Sequence, residues 1–275
     1  MKVAFWSNSR GRAGTTSNMA CISVLCAMLE RKKSVLFENH YSLNGLEQAF
    51  VHEKEKSLSI LKEEFAYYDQ RGLDGLIRRV HSNYTYEEIM EDVAMKFLDN
   101  MLYYLPKSHD MNSEYFEFEL NQVIKPLICL LDRSFDFVFV DTAPNNSLST
   151  KLILEETDLV IVNLCQNKII LDHFFANYQS LLDKSIILIG NYNDQSRFNL
   201  NTIRRRYQIP KDMIGTVPFN LEFADAVSGG SVVEFLMRNL ACKKQDENYY
   251  FMSQVKKAAH MVLEQLRGEE VSIVS

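Results

Sequence analysis

The chain has 275 residues and a formal net charge of −6, and 47% of its residues are hydrophobic. This apolar content suffices for a full core and excludes a disordered chain, while the acidic balance excludes a global attraction to nucleic acid or anionic lipid. The five cysteines form no C-x-x-C pair, which favours reduced thiols over a disulfide framework or a zinc site. Without a signal-peptide pattern or a long uncharged apolar stretch, the sequence predicts a soluble, cytoplasmic protein.

Seven short apolar runs predict β-strands, and longer helical stretches separate them. Most runs are continuous in Val, Ile, Leu and Phe, which is typical of parallel strands covered on both faces. The predicted strands are Val3–Trp6, Ser34–Glu38, Met101–Leu105, Phe137–Val140, Leu159–Leu164, Ile186–Ile189 and Met213–Val217. The predicted helices include Thr16–Arg31, Glu114–Asp132, Leu171–Leu182 and, near the C-terminus, Asn248–Arg267. This alternation predicts an α/β fold with a doubly wound, mostly parallel sheet, helices on both faces, and a single domain over residues 1–275.

One stretch departs from the alternation. Residues from about 48 to about 96 are charged and show no obvious strand, so they predict a helical insert after the second strand. Within the insert, Thr85-Tyr86-Glu87-Glu88 is a capping-box pattern that predicts a helix start near Tyr86. Farther along, Gly229 and Gly230 separate two predicted helical segments.

A loop with two glycines joins the first strand to the first helix. It reads Ser7-Asn8-Ser9-Arg10-Gly11-Arg12-Ala13-Gly14-Thr15-Thr16-Ser17. Such a loop can bind an anion, because backbone N–H groups point inward and the helix N-terminus favours negative charge. It departs from the P-loop pattern, since Thr15 takes the place of the lysine. Alone, the loop is equally compatible with an ordinary strand–helix turn.

Five segments in chain order resemble the MinD/ParA ATPases. The loop is similar to that family's deviant phosphate loop, K-G-G-x-G-K-[ST]-[ST], with Arg10 in place of the signature lysine. Gly11 and Gly14 match the family's glycines, and Thr16 matches the hydroxyl that ligates magnesium.

The other four segments follow the loop in the order that the family has them. The motif residues Glu38-Asn39-His40 stand where the family carries D-x-D in its switch I, and 135–144 resembles the Walker B strand with its D-T-x-P switch II. Residues 186–191 resemble the strand that ends in an adenine-binding asparagine. The fifth segment, which consists of 215–220 and 226–230, is similar to the family's G-x-I-P and A-x-x-x-G.

The resemblance implies that the chain binds ATP or ADP together with Mg²⁺. The implied nucleotide-binding residues are Arg10, Gly11, Arg12, Ala13, Gly14, Thr15, Thr16, Ser17, Asp141, Asn191, Pro218 and Phe219. Within this set, Thr16 and Asp141 are the implied Mg²⁺-linked pair, and Asn191 is the implied adenine contact. His40 and Glu38, in the switch I position, are the candidate catalytic residues.

Two departures from the family pattern bear on hydrolysis. Thr15 supplies no cation to the β- and γ-phosphates, and the loss of one charge-assisted contact costs roughly 1.5–3 kcal/mol. His40 replaces an aspartate that the family places close to the attacking water. Together they predict weakened binding and a very slow or absent ATPase. The alternative is an active ATPase in which Arg10 or Arg12, with His40, compensates.

Within the MinD/ParA family, the altered phosphate loop and the helical insert resemble the TadZ/CpaE branch most. Members of that branch help to localise and assemble Tad-type pili. The resemblance implies a homodimer and partners in pilus or secretion machinery. A DNA-partitioning protein that uses Arg204–Arg206 is an alternative, although a short arginine run in an acidic protein favours a solvated face over nucleic acid. A scaffold that binds no nucleotide is another. The acidic segment 268–275 predicts no direct membrane anchor, so recruitment to a membrane or a cell pole would need partners.

Overall fold

The computed structural model describes residues 1–40, 45–52, 72–81, 93–107, 113–145 and 147–274. Within these ranges eight strands form one sheet. The strands are β1 (Lys2–Trp6), β2 (Ser34–Glu38), β3 (Met95–Phe97), β4 (Leu102–Tyr104), β5 (Phe137–Asp141), β6 (Leu159–Leu164), β7 (Ser185–Tyr192) and β8 (Ile214–Pro218).

Ten α-helices are described between and after the strands. They are α1 (Thr15–Glu30), α2 (Leu46–Phe50), α3 (Gly72–His81), α4 (Ser113–Ser134), α5 (Leu148–Glu156), α6 (Lys168–Asn177), α7 (Leu200–Tyr207), α8 (Leu221–Ser228), α9 (Val232–Asn239) and α10 (Tyr249–Val274). Two short 3₁₀ helices, Gln179–Lys184 and Lys211–Met213, precede β7 and β8. No helix in the described ranges is both long and apolar enough to cross a membrane.

The strand order is β3-β4-β2-β5-β1-β6-β7-β8, and every neighbouring pair is parallel except β3 with β4. The chain winds outward from β1 in both directions, because β5 pairs with one edge of β1 and β6 with the other. In such sheets, ligands bind outside the carboxyl ends of the strands where the winding direction changes. The loop after β1 lies at this point.

Alternate residues of each strand enter opposite layers of the core, as the two-residue period of a strand requires. Val3 and Phe5 of β1 pack with α1, α8, α9 and α10 on one face, whereas Ala4 belongs to the opposite layer, which contains α3, α4 and α5. The helices α6 and α7 cover that second face on the far side of β1, around Trp6 and Val162. Both faces of the sheet are therefore covered.

The doubly wound, mostly parallel sheet is confirmed, and each of the seven predicted strands is present to within one residue at either end, except that β7 continues three residues beyond Ile189. The prediction that the insert holds no strand was wrong, since β3 lies inside it. This strand has only three residues and pairs antiparallel with β4 through a turn in which Leu98, Asp99 and Asn100 all have positive φ. The helix expected over Leu171–Leu182 begins three residues earlier, and a 3₁₀ helix replaces its second half. The capping-box segment at Thr85 lies outside the described residues.

Candidate functional site

The loop after β1, here called the glycine loop (Ser7 to Gly14), turns the chain from the sheet into α1. Gly11 and Gly14 adopt φ of 69° and 65°, the left-handed region that residues with a side chain seldom enter. Gly14 is the N-cap residue of α1, and its carbonyl oxygen accepts a hydrogen bond from the backbone N–H of Asn18 at 2.8 Å. The two glycines therefore meet a conformational requirement of the turn.

The N-terminus of α1 is left open for a ligand. In the described part of the chain no side chain caps it, and its first turn contains no acidic residue. By contrast, the N-termini of α5, α6, α7 and α8 are each capped by a serine or asparagine side chain. Since the first N–H groups of a helix need acceptors and carry partial positive charge, an uncapped terminus facing a cavity favours an anion.

Buried amides hold the glycine loop against the sheet. Asn18 donates to the carbonyl oxygen of Ala13 at 3.1 Å and to Asn163 Oδ1 at 2.8 Å. Asn163 in turn donates to backbone carbonyls of β1 and β6. Gly190 allows the close approach on the other side, because a Cβ there would lie 1.9 Å from the Ala13 carbonyl oxygen. Contacts with α1, β6 and β7 thus hold the glycine loop in place without a ligand.

Three side chains meet beside the first turn of α1. Thr16 Oγ1 donates to Asp141 Oδ2 at 2.6 Å, and His40 Nε2 lies 3.3 Å from the same oxygen. Asp141 is only 1% exposed, at the end of β5. Burial lowers the pKa of His40, but the charge and hydrogen bond of Asp141 outweigh burial, so the pKa of His40 lies above its ordinary value. The structure thus brings together the predicted metal-linked pair and one candidate catalytic residue.

The residues around His40 are held by two separate networks. Asn39 accepts a hydrogen bond from the backbone N–H of Ala143 at 2.7 Å and donates to Ser149 and Thr150 on α5, which ties the end of β2 to the segment after β5. On the other side, Lys107 Nζ donates to the carbonyl oxygen of His40. The position of His40 is therefore set by its neighbours in the chain and by Lys107.

Glu38 is not among the residues that line the cavity beside α1. It is 1% exposed, and its Oε1 accepts from the backbone N–H of Leu46 at 3.0 Å. Its Oε2 accepts from the Tyr104 hydroxyl at 3.1 Å and pairs with Lys107 Nζ at 3.1 Å. Burial, and then the charge of Glu38, raise the pKa of Tyr104 well above its ordinary value, so Tyr104 stays a donor. This carboxylate accepts from three donors, and the catalytic role of Glu38 stays a prediction.

A cavity of about 590 Å³, here called the loop cavity, opens above these groups. Its lining includes most of the predicted nucleotide-binding residues: Arg10, Gly11, Gly14, Thr15, Thr16, Ser17, Asp141 and Asn191, together with His40. The rest of the lining is formed by Ser7, Ser9, Asn39, Phe116 and Glu117 of α4, and the segment from Thr142 to Asn145. Among the described residues around it, Arg10 and His40 are the side chains that carry or can take a positive charge.

A second cavity of about 260 Å³, the side cavity, shares Thr16, Ser17 and Asn191 with the loop cavity. Pro218, Phe219 and Val227 form part of its apolar wall, and Gln48 of α2 adds an amide. Asn191 has a φ of 48°, so the chain turns sharply where β7 reaches both cavities. The predicted adenine contact and the predicted phosphate contacts thus lie around two adjoining spaces.

Two predicted nucleotide-binding residues line neither cavity. Ala13 is buried and contributes its carbonyl oxygen to Asn18. Arg12 is exposed on the side of Cys165, where burial raises the pKa of the Cys165 thiol and the charge of Arg12 offsets part of that rise. Arg10, not Arg12, is therefore the arginine that the structure places at the loop cavity.

The arginine run on α7 is partly engaged within the protein. Arg206 lies 3.4 Å from the Asp172 carboxylate, and the Tyr207 hydroxyl donates to the same carboxylate at 2.7 Å. Hydrogen bonds from Lys168 and Tyr207 lower the pKa of Asp172 to about 2, so it is charged at neutral pH. Part of the positive charge of the run is thus neutralised on its own surface.

The residues that sequence reasoning missed are those that support the loop and the switch. Asn163 could have been identified from the sequence, because it is the one amide in the buried apolar run of β6. Gly190 could also have been identified, because a glycine at a strand end indicates that another backbone segment approaches closely. No sequence pattern pointed to Lys107, since a lysine that follows a short strand is expected to be exposed.

Mg²⁺-nucleotide fits the groups that are present. A hydroxyl and a carboxylate are hard oxygen ligands, an uncapped helix N-terminus accepts phosphate, and the loop cavity is large enough for a polyphosphate chain. The fit is incomplete in one respect. The described lining of the loop cavity contains no lysine, and Arg10 is its one arginine.

Comparison with known proteins identifies the fold. The sequence matches no family model and no curated protein. Solved structures do match: a ParA family ATPase of Chlorobium tepidum TLS is 12% identical with a TM-score of 0.67, over 94% of this chain and 96% of that one. The cell division ATPase MinD of Pyrococcus furiosus is 14% identical with a TM-score of 0.67, over 96% and 98%. The septum site-determining protein MinD of Pyrococcus horikoshii OT3, complexed with Mg-ADP, is 14% identical with a TM-score of 0.66, over 95% and 96%. The chain therefore has the fold of the ParA and MinD ATPases along nearly its whole length.

Proposed function

We propose that the protein binds Mg-ATP at the loop cavity and acts as a positional or assembly factor. The observation that carries the proposal is the hydrogen bond of 2.6 Å between Thr16 and Asp141, directly beside the uncapped N-terminus of α1. This pair and the loop conformation are the parts that a magnesium–phosphate complex needs. The Mg-ADP complex of the archaeal MinD, which shares the fold, supports the choice of ligand.

Turnover is very slow or absent in this proposal. Phosphoryl transfer depends on cations placed against the oxygens of the transferred group and on a residue that orients the nucleophile. Thr15 supplies no cation, Glu38 is occupied by Lys107, Tyr104 and Leu46, and His40 faces Asp141. Nothing in the described cavity therefore takes the place of both the lysine and the acidic switch residue, and bound ATP acts as a structural ligand.

The protein also forms a homodimer in this proposal, with the two loop cavities facing each other and Arg10 reaching the partner's phosphates. Arg10 is exposed at the mouth of the cavity, and guanidinium binds phosphate through a planar fork. Sedimentation of wild type and of Arg10→Ala, each with and without Mg-ATP, tests this. A wild type that stays monomeric with saturating ATP, or a dimer that responds to neither change, would contradict it.

Assembly of a Tad-type pilus is the cellular role that we propose, with pilus or secretion proteins as partners. It rests on the eroded phosphate loop and on the segment inserted after β2. The genes beside this one test the role, because pilus ATPase and platform genes next to it support it, and a neighbourhood of plasmid-partition genes opposes it.

The bound nucleotide itself tests the proposed function. Protein incubated with Mg-ATP for several hours and then separated from free nucleotide should retain ATP, with phosphate release at background. Retention of ADP, or phosphate release that Asp141→Ala abolishes, would show an active ATPase. Loss of all nucleotide from folded protein at millimolar ATP would leave a nucleotide-free scaffold.

A further inference from the structure

The three polar groups beside α1 are spaced like neighbouring ligands of one metal ion. Thr16 Oγ1 and His40 Nε2 lie 2.6 Å and 3.3 Å from Asp141 Oδ2. In an octahedral site with bonds of about 2.1 Å, adjacent ligand atoms are about 3.0 Å apart. The two separations in the protein lie on either side of that value, so each pair fits two adjacent ligands of one ion.

We propose that His40 Nε2 is a direct metal ligand together with Thr16 and Asp141, and that this mixed nitrogen–oxygen site selects Mn²⁺ or Co²⁺ over Mg²⁺ for the bound nucleotide. The inference rests on the proposed nucleotide binding. Mg²⁺ prefers all-oxygen surroundings, whereas first-row transition metals accept imidazole and carboxylate together, and Co²⁺ binds such sites more tightly than Mn²⁺. The imidazole therefore changes which cation the site favours.

The position of His40 is fixed independently of any ligand. Lys107 holds its carbonyl oxygen, and the preceding Asn39 is bonded to Ala143, Ser149 and Thr150. The His40 side chain is 15% exposed, with Nε2 directed at Asp141. A ligand whose backbone is held in place loses less freedom when a metal binds, although the other ring nitrogen, Nδ1, is buried with no hydrogen-bond partner among the described residues.

Glu38 is the fourth potential ligand nearby, since its carboxylate lies within 4.8 Å of the His40 and Asp141 ligand atoms. Its two oxygens already accept from Leu46, Tyr104 and Lys107. It therefore supports the site from outside, and the protein offers three ligands. An octahedral ion keeps its other three positions for phosphate oxygens and water.

Metal-dependent nucleotide binding provides the first test. The affinity for AMPPNP is measured with saturating Mg²⁺, Mn²⁺ or Co²⁺, so that all nucleotide is in its metal complex. We expect at least about tenfold tighter binding with Mn²⁺ or Co²⁺ than with Mg²⁺, and a difference below about threefold in His40→Asn. His260→Asn, which changes an exposed histidine on α10, is the matched control and should keep the wild-type preference.

Pulsed electron paramagnetic resonance of the Mn²⁺–AMPPNP complex provides a readout that does not depend on affinity or turnover. Wild type should show a nitrogen coupling that changes when the histidines carry ¹⁵N, and His40→Asn and His40→Gln should lack it. Equal affinities with the three metals and no histidine coupling would overturn the metal site while leaving nucleotide binding intact. No binding with any metal, by folded protein, would instead overturn the proposed function itself.

Discussion

Thr15→Lys introduces the lysine of the P-loop pattern into the glycine loop, and we expect it to tighten nucleotide binding. Thr15 is the first residue of α1 and lines the loop cavity. A charge-assisted contact is worth about 1.5–3 kcal/mol, and a cation at a helix N-terminus costs about 0.3–1 kcal/mol against the helix dipole. The net gain is about 0.5–2.7 kcal/mol, which is a factor of roughly 2 to 100 in the dissociation constant.

The assay is calorimetric titration of wild type and variant with Mg-ATP at one salt concentration, because charge contacts weaken as salt rises. Thr15→Met is the matched control, since it adds length without charge and should bind like wild type. A gain shared by Thr15→Met would mean that volume, not charge, limits binding. An unchanged affinity in folded Thr15→Lys would refute the placement of the phosphates beside α1.

Three further changes test the supporting contacts. Lys107→Met leaves the Glu38 carboxylate buried without its cation, so the free energy of unfolding should fall by about 3–5 kcal/mol in chemical denaturation, and the double variant with Glu38→Gln should recover part of it. Because the pKa of His40 is raised in the folded state, its contribution to stability is fully present below pH 6.5 and is lost as pH rises through the folded pKa. Without nucleotide or metal, the stability difference between wild type and His40→Asn should therefore shrink as pH increases, and a difference that grows would contradict the His40–Asp141 contact. Gly190→Ala forces the glycine loop away from β7 and should cost about 1–3 kcal/mol of stability and weaken nucleotide binding, whereas Gly268→Ala, with open space around it, should do neither.

The sequence was sufficient for the sheet because its strands are buried on both faces, and continuous apolar runs such as Leu159–Leu164 show this directly. The strand Met95–Phe97 was missed for the opposite reason. It is short, contains a lysine, and exists only because it pairs antiparallel with Leu102–Tyr104. Its pairing depends on the three-dimensional arrangement and not on a local pattern.

The candidate site divides in the same way. Groups at the carboxyl ends of parallel strands in one sheet, such as Asp141 of β5 and Asn191 of β7, could be placed at the same edge from the sequence, and their binding roles stay predictions. The contacts of Lys107 could not be anticipated, because β4 pairs with β2 and brings a residue 69 positions from Glu38 onto its carboxylate. The catalytic role of Glu38, which was inferred from its position after β2, stays a prediction.

In the proposed function, Thr16 and Asp141 hold the magnesium of a bound nucleotide. Calorimetric titration of wild type with ATP, once with Mg²⁺ and once with EDTA, tests it most directly, with Thr16→Val and Asp141→Ala as variants. We predict a dissociation constant between about 1 µM and 1 mM with Mg²⁺, and at least about tenfold weaker binding with EDTA and in both variants. Binding that is unchanged by EDTA and by both substitutions, or no heat at millimolar ATP from folded wild type, would contradict the claim.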